Sequence, residues 1–515
     1  MAVIASLAAG CGTDAVVLPP DFNAKKVKKI DIFYNVDDGT VRNFAGVQGG
    51  PQKTLHSDAS LLDDFLRAGI DLMRVPDGYL CDYAMSGIFP DAGADPTKNE
   101  SYSFQKIDEV VGAASQIPVG ADEDRRRGVV FQAEFDLGKD TCTVSPDGIQ
   151  TGAPPKDLAK WTQAVVATLK HFQSANFNVR HVEFIEDPLG RGGYTNVGLV
   201  ADHLVAFAEA VKAAFPNTPD GKPTMGVIGP SIPVGSAAEV PGHALTQLID
   251  ELRTRKKEGL IDALAFQTAV ESPAENLAIA EALRKMLTER QLDKVKLWAT
   301  RYEPNRTTHP VPGPQEDTTG WSSYAGAFAT ASKILWQDAL DAAIFYRGDR
   351  RQTTKEQGDI NAVEQSPLWA STGESRTAGI AWQPWRLMVD KQRVLVGEIA
   401  DTDRSGLAVM AARGGEPTDC CTPSPTKCKK LYVLIANANT QLNQKAVSYQ
   451  VHVDGVADPA AASQQVTVCR SIINEATTEF KFADSRLVSL VGGGFYYNFD
   501  SSVPATEYLE VDLGP

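Results

Sequence analysis

Eight short apolar runs alternate with longer segments of helical periodicity between residues 41 and 347. Strand–helix units repeated over roughly 250–300 residues are typical of an α/β fold, the (β/α)8 or TIM barrel. A doubly wound open sheet is the alternative, but no glycine-rich phosphate loop follows the first run, which favours the barrel. The predicted barrel strands are residues 43–48, 69–76, 128–136, 178–186, 224–230, 261–268, 295–302 and 341–347.

The segments between these runs predict amphipathic helices, because their apolar residues recur every three or four positions. The first begins at Asp58, a candidate N-cap, and stops at Gly69. The predicted helices are residues 58–69, 155–175, 200–215, 243–257, 274–290 and 324–340.

The pattern changes after residue 388 to short runs separated by turn residues, which predicts an antiparallel β-sandwich. A strand-like segment, KKVKKIDIFYNVD, precedes the barrel and could join this sandwich. We therefore expect four parts: 1–25, a signal remnant and tether; 26–40, the N-terminal strand; 41–388, the barrel; 389–515, the sandwich. The predicted sandwich strands are residues 393–400, 405–414, 430–438, 446–455, 464–471 and 506–514.

The N-terminal stretch MAVIASLAAGCG resembles a bacterial lipoprotein signal, in which the cysteine, here Cys11, is lipidated. The basic region expected before it is missing, so we expect the true start to lie upstream. The predicted location is the bacterial cell envelope, lipid-anchored or extracellular, with the membrane as a partner through the lipid. Six cysteines remain, and export predicts up to three disulfides among them.

The net charge of −15 and the pI near 5.0 argue against nucleic acid as a partner. The stretch CCTPSPTKC lacks paired C-x-x-C knuckles, and the seven histidines have no metal-ligand spacing. No Gly-x-Ser-x-Gly elbow and no cofactor motif are present. The sequence therefore predicts neither a metal site nor a cofactor.

Active sites of such barrels lie at the carboxyl ends of the strands. Strand four ends at Glu186 and Asp187, and Glu303 follows strand seven. Carboxylates opposed across a barrel mouth indicate glycoside hydrolysis, with one as proton donor and the other as nucleophile or base. These three residues are the candidate catalytic groups, and capping or solvated loop positions are the alternative.

Other residues near the strand ends are candidates for binding sugar. Aromatic faces stack on sugar C–H groups while polar neighbours fix orientation, although core packing is the favoured alternative for Trp298. The candidate binding residues are Asp77, Tyr194, Gln267, Trp298, Arg301, Tyr302 and Trp321.

Several stretches resemble family 39 of the glycoside hydrolases, the β-xylosidase and α-iduronidase group, over residues 44–388. VPDGYLCDYAMSGIFPDAGADPTKNESYSFQKIDEVVGAA is similar to its second barrel unit, and HVEFIEDP to its YWEIWNEP. IDALAFQ and LWATRYEPN are similar to the stretches that end its strands six and seven. The resemblance implies a (β/α)8 barrel with a C-terminal sandwich and an active site at the barrel mouth.

The same resemblance implies substituted catalytic positions. The family's Asn-Glu pair, whose glutamate is the acid/base, falls on Glu186-Asp187, and its nucleophile falls on Arg301. The strand-six histidine falls on Gln267. A guanidinium cannot act as a glycosyl nucleophile, and paired with Glu186 or Asp187 it would lower the pKa of that carboxyl group.

Two functions are consistent with this sequence. The first is a glycoside-hydrolase-like surface lipoprotein that binds, and could still hydrolyse, an extracellular polysaccharide or oligosaccharide, with the standard retaining mechanism lost. The second is a non-catalytic envelope scaffold or glycan-binding module. A shifted site using Glu303 with Glu186 or Asp187 would keep an enzyme, provided that the carboxylates face each other within about 10 Å.

Overall fold

The computed structural model describes part of the chain, in a series of ranges. They form two compact units, one of residues 43–386 and one of the residues up to Arg42 together with those from Leu387 onward. The described ranges are 27–49, 62–76, 88–91, 93–117, 128–133, 154–190, 193–305, 319–346, 368, 376–397, 406–414, 429–439, 447–457 and 464–513.

The first unit contains a closed parallel barrel. Its strands follow the order β6-β5-β4-β3-β2-β10-β9-β8-β7, and a further β6–β8 pairing closes the ring. The two-residue strand β7 continues the pairing with β8 beyond the end of β6. The strands, numbered along the whole chain, are β2 (Ala45–Gln48), β3 (Leu72–Pro76), β4 (Gly128–Gln132), β5 (Val179–Glu183), β6 (Gly226–Ile228), β7 (Ile232–Pro233), β8 (Ala263–Val270), β9 (Lys296–Pro304) and β10 (Ala342–Phe345).

Helices follow most of these strands, and several begin at polar caps. The side chains of Asp157, Asn196 and Ser272 accept hydrogen bonds from backbone N–H groups in the first turn. No helix within the described ranges is long and apolar enough to cross a membrane. The helices are α1 (Leu62–Ala68), α2 (Gln105–Ser115), α3 (Leu158–Ser174), α4 (Val197–Ala214), α5 (Ala244–Thr254), α6 (Pro273–Glu289), α7 (Thr319–Leu335), α8 (Thr377–Ile380) and α9 (Gln383–Met388).

The lower part of the barrel interior is apolar and unevenly filled. The large ring of Trp298 enters a cluster lined by alanines such as Ala263 and Ala342. The ring of His181 fills space opposite Gly226, where an added Cβ would lie 2.4 Å from His181 Cδ2. Small residues on some strands thus make room for two rings on others, and the interior closes below the mouth.

The second unit contains one nine-stranded sheet of order β16-β15-β18-β13-β12-β11-β1-β14-β17. Only the β1–β14 pair is parallel. Tyr497 Oη donates to Asp484 Oδ1 at 3.1 Å, which links the two end strands, and residues from both halves share one core. The strands are β1 (Val27–Thr40), β11 (Gln392–Val396), β12 (Leu407–Gly414), β13 (Lys430–Asn437), β14 (Val447–Asp454), β15 (Gln465–Ile473), β16 (Asp484–Ser489), β17 (Phe495–Ser501) and β18 (Ala505–Asp512).

The predicted fold class is confirmed: a (β/α)8 barrel followed by a mostly antiparallel sheet that folds over a shared core, as in a sandwich. Strand β1 pairs with β11 and β14 of this sheet. The disulfide prediction is not supported at Cys469, which keeps a buried thiol that donates to Ser485 Oγ at 3.5 Å. The other cysteines lie outside the described residues.

Candidate functional site at the barrel mouth

A chain of alternating charges lies across the carboxyl ends of the barrel strands. Arg74 of β3 donates from Nε and Nη2 to Glu183 of β5 at 2.6 and 2.8 Å, and from Nη1 to Glu186 at 2.9 Å. Glu186 lies 3.5 Å from Arg301 Nη1. Arg301 in turn donates to Glu303, so the order is Glu183, Arg74, Glu186, Arg301, Glu303. We call these five residues the ion chain.

The inner end of the ion chain is fully buried. Arg74 and Glu183 have no exposed surface, and their bidentate geometry is the strongest form of an arginine–carboxylate contact. Burial raises the pKa of Glu183 to about 7, while the Arg74 guanidinium acts to lower it. Arg74 Nη1 also donates to Gln48 Oε1 at 3.1 Å, which ties the guanidinium to β2 as well.

The outer end of the ion chain reaches solvent at Arg301, whose side chain is 15% exposed. Arg301 donates from Nε and Nη2 to Glu303 Oε1 at 2.9 and 2.6 Å, and its guanidinium lies 3.8 Å from the ring centre of Tyr346. Burial acts to lower the pKa of Arg301, but Glu303, Tyr346 and Glu186 together raise it above its usual value. Arg301 is therefore a fixed cation at the mouth.

Glu186 occupies the middle of the ion chain because the backbone after β5 holds it there. It forms an isolated bridge with Ser231 beyond β6, and its Oε2 also accepts from Gln132 Nε2 at 3.4 Å. Its side chain is 11% exposed, against 15% for Arg301 and 6% for Glu303. Among the described residues, Glu186, Arg301 and Glu303 are the charged groups of the ion chain that have exposed surface at the mouth.

Asp187 points away from the ion chain. Its backbone has a positive φ of 43°, and its Oδ1 accepts from the backbone N–H of Gly190 at 3.2 Å. Its own N–H donates to the carbonyl of Ser231 at 2.7 Å. The carboxylate thus closes a turn after β5, a role that aspartate performs well because its short side chain tolerates this conformation.

Three of the four predicted aromatic residues, those whose side chains are described, are not brought together at the mouth. Trp298 packs in the barrel interior below the ion chain. Tyr302 is fully buried on the outer side of β9, 5.0 Å from the ring of Trp336. Tyr194 is 4% exposed, with its hydroxyl 3.1 Å from His203 Nδ1. A register shift in the β8–β9 pairing breaks the alternation along β9, so Trp298 points inward and Tyr302 outward, and neither ring faces a ligand.

Three of the predicted binding residues remain: Gln267, Asp77 and Trp321. Gln267 lies at the mouth, where its Nε2 donates to the carbonyl of Ser231 at 3.2 Å. Asp77 and the side chain of Trp321 lie outside the described residues. The structure thus brings Glu186, Arg301 and Glu303 together with Gln267 nearby.

Sequence reasoning missed Arg74, Glu183, Gln132 and Tyr346. Arg74 is the one charged residue of β3, LMRVP, and Glu183 is a buried charge in β5, VRHVE, whose Arg180 is exposed. A charge in such a strand must be paired when it is buried, which was a usable signal. Their pairing could not be read locally, because 109 residues separate them.

The mouth can position carboxylates, but a cation lies between them. Glu186 and Glu303 contact the same guanidinium, which keeps them within the roughly 10 Å that glycoside hydrolysis needs. Arg301 offsets the negative charge of both. No group of three or more potential metal ligands occurs among the described residues.

The sequence and the structure were compared with those of known proteins. No protein-family model and no curated protein matches the sequence. Among solved structures, a glucosidase from Croceicoccus marinus superposes with a TM-score of 0.66 at 18% identity, over 94% of this chain and 99% of that one. A monomeric beta-xylosidase from Caulobacter crescentus CB15 gives 0.65 at 14% identity, with the same coverage.

A GH39 enzyme from Xanthomonas axonopodis pv. citri superposes with a TM-score of 0.62 at 13% identity, over 96% of this chain and 99% of that one. At these identities the likeness concerns the fold. The chain therefore has a glycoside-hydrolase-like fold similar to that of family 39, a barrel with a β-rich second unit.

Proposed function

We propose that this protein binds a glycan chain at the barrel mouth and lacks the double-displacement hydrolysis of retaining glycoside hydrolases. The observation that carries the proposal is the place of Arg301, whose guanidinium contacts both Glu186 and Glu303. The fold shared with glycosidases supports a carbohydrate ligand, since a barrel mouth of this kind is where such enzymes hold sugar.

The argument against hydrolysis rests on charge. Double displacement needs one carboxylate as nucleophile and a second carboxyl group that keeps its proton until the leaving oxygen takes it. A general acid needs a raised pKa, whereas guanidinium groups beside Glu186 favour its ionised form. Arg301 would also lie close to the oxocarbenium-like centre, where positive charge is unfavourable.

The sequence resemblance agrees with this interpretation. It assigns the family's nucleophile to Arg301 and its acid/base to Asp187, and Asp187 closes a backbone turn instead of facing Arg301. Substitution of both catalytic positions is therefore part of the proposal.

A second candidate function is a hydrolase with a shifted pair, Glu186 and Glu303. The observation that favours it is that both carboxylates meet at one guanidinium. A ligand that displaced Arg301 from between them would leave two carboxyl groups facing each other at a usable separation. Hydrolysis abolished by Glu303→Gln would identify this alternative.

The test uses the purified full chain. A glycan array and calorimetric titration with xylotetraose, cellotetraose and tetragalacturonic acid measure binding, and 4-nitrophenyl glycosides measure hydrolysis. We expect binding to at least one glycan and no release of nitrophenol above buffer. Binding should fall in Arg301→Glu and stay unchanged in Arg180→Glu, a charge reversal at an exposed residue near the amino end of β5, opposite the mouth. Absence of glycan binding would refute the proposal.

We also propose that the chain is anchored to a bacterial membrane through lipid on Cys11, because small residues precede this cysteine as in lipoprotein signals. The proposal predicts that Cys11→Ser moves the protein from the membrane fraction to the soluble one and abolishes metabolic labelling with palmitate. Unchanged fractionation and labelling would contradict it.

A further inference from the structure

Gln132 ends β4 with its side chain pointing into the barrel, and no part of it is exposed. Its Nε2 lies 3.4 Å from Glu186 Oε2, which places the amide beside the ion chain. Its Oε1 is buried and has no hydrogen-bond partner. Buried acceptors in proteins are nearly always satisfied, so this oxygen requires a donor from elsewhere.

The two other glutamines at barrel strand ends provide a contrast. Gln48 Oε1 accepts from Arg74, and Gln267 Nε2 donates to the carbonyl of Ser231. Both amides therefore serve the protein's own network. Gln132 donates from Nε2 to Glu186, but its Oε1 accepts no hydrogen bond within the protein. The carboxylate of Glu186 is 11% exposed at the floor of the mouth.

The chemistry of the surroundings narrows the class of ligand. Both guanidiniums of the described mouth are already held by carboxylates, Arg74 by Glu183 and Glu186, and Arg301 by Glu186 and Glu303. The ion chain has three carboxylates for two guanidiniums, which disfavours a ligand that carries a carboxylate or sulfate. An amide oxygen accepts well from a hydroxyl group.

We propose that Gln132 Oε1 accepts a hydrogen bond from one hydroxyl of an uncharged sugar residue at the floor of the mouth. This rests on the proposed glycan binding and adds to it a residue that determines specificity and a sugar class. A site built around such a contact discriminates strongly against the analogue that lacks the hydroxyl, because the buried acceptor is then left unpaired.

The variant that tests this is Gln132→Met, which keeps the length of the side chain and removes both polar atoms. Its matched control is Thr268→Val. Thr268 on β8 also has a buried hydroxyl without a partner, but it follows Gln267 in sequence and so points out of the barrel. Both variants remove a buried polar atom that has no hydrogen-bond partner, but only the atom of Gln132 faces the mouth.

Wild type and both variants are titrated with methyl β-D-xyloside, methyl β-D-glucoside and their monodeoxy derivatives, with methyl β-D-glucuronide as the anionic probe. We expect Gln132→Met to weaken binding about tenfold, the size of one neutral hydrogen bond, and Thr268→Val to leave it unchanged. One monodeoxy sugar should bind wild type about tenfold more weakly and show no further loss in Gln132→Met. The melting temperature should not fall in either variant.

The outcomes separate this inference from the proposed function. If wild type binds none of these sugars and no arrayed glycan, both are refuted. If wild type binds uncharged sugars and Gln132→Met binds them equally well, glycan binding stands and the role of Gln132 is refuted. Tighter binding of the glucuronide than of the uncharged sugars would refute the proposal that the ligand is an uncharged sugar. A crystal structure of the complex with a water molecule on Gln132 Oε1 would overturn the contact itself.

Discussion

Each of the two units buries a bidentate arginine–glutamate pair. In the barrel, Arg74 holds Glu183 at 2.6 and 2.8 Å. In the sandwich, Arg470 of β15 holds Glu507 of β18 at 2.8 and 2.9 Å. Burial raises the pKa of both glutamates, and the arginine acts against that shift in both. Their local chemistry is almost the same.

What differs is where each arginine directs its remaining contacts. Arg470 donates to the backbone carbonyl of Asp500 at 2.7 Å and lies 4.6 Å from the ring centre of Phe499, so its contacts end within the sheet. Arg74 reaches Glu186, which is partly exposed at the mouth. A buried ion pair is therefore weak evidence for function, and its connection to exposed polar groups is the informative feature.

The largest effect we predict comes from removing either arginine. Arg74→Met and Arg470→Met each leave a buried carboxylate without its partner, which costs about 3–5 kcal/mol of unfolding free energy. Only Arg74→Met should also abolish glycan binding, since it releases Glu186. All seven tryptophans lie between Trp161 and Trp385, so tryptophan fluorescence during urea unfolding follows the barrel unit.

Hydrogen exchange of peptides from β15 and β18 follows the sandwich in the same samples. Arg74→Met should shift the fluorescence transition and Arg470→Met the exchange of the sandwich peptides. Equal loss of glycan binding in both variants, at a temperature where both stay folded, would remove the distinction between the two pairs.

A smaller predicted effect is a difference between the two units in how their unfolding free energy depends on pH. His181 lies inside the barrel, and burial, followed by Lys296 and Arg180, lowers its pKa to about 3. Because the unfolded chain takes up this proton near pH 6.5, His181 by itself costs the barrel up to about 1.4 kcal/mol per pH unit as pH falls from 6.5 towards 3. The raised pKa of Glu183 acts against this loss between about pH 7 and 4.5. Burial raises the pKa of Glu507, so its contribution has the opposite sign and favours the folded sandwich in acid.

Urea unfolding between pH 7 and 4 measures how the unfolding free energy of each unit changes with pH. Tryptophan fluorescence follows the barrel, and hydrogen exchange follows the sandwich. His181→Gln should make the barrel more stable in acid relative to wild type and leave the pH dependence of the sandwich as it is. An unchanged barrel slope in this variant would assign the acid sensitivity to other groups.

The contrast between units also shows what a sequence can predict. Each barrel strand from β2 to β10 overlaps or adjoins a predicted range, because buried parallel strands are continuous apolar runs that alternate with helical periodicity. Helix α2 was not predicted, and Phe104 at its start provides no side-chain cap. Strand β16 was not predicted either, since neither of its faces is buried and no apolar alternation marks it.

The site was less predictable than the fold, for a physical reason. Strand ends could be located, and Glu186, Arg301 and Glu303 do meet there. Which side chain faces inward depends on register and on irregular pairing along β9, and local pattern does not reveal this for Trp298 or Tyr302.

The smallest effect concerns Asp187, beside Glu186 in sequence but outside the ion chain. The sandwich unit has a matching residue, Asp390, whose φ of 67° is also positive. Alanine at either position should cost about 1 kcal/mol through strain at positive φ, and asparagine should cost almost nothing because it tolerates this conformation. Thermal unfolding measures the cost, and glycan titration should show no change in Asp187→Asn or Asp390→Asn. Weaker binding in Asp187→Asn alone would mean that this carboxylate faces the ligand, and the mouth would then extend beyond the ion chain.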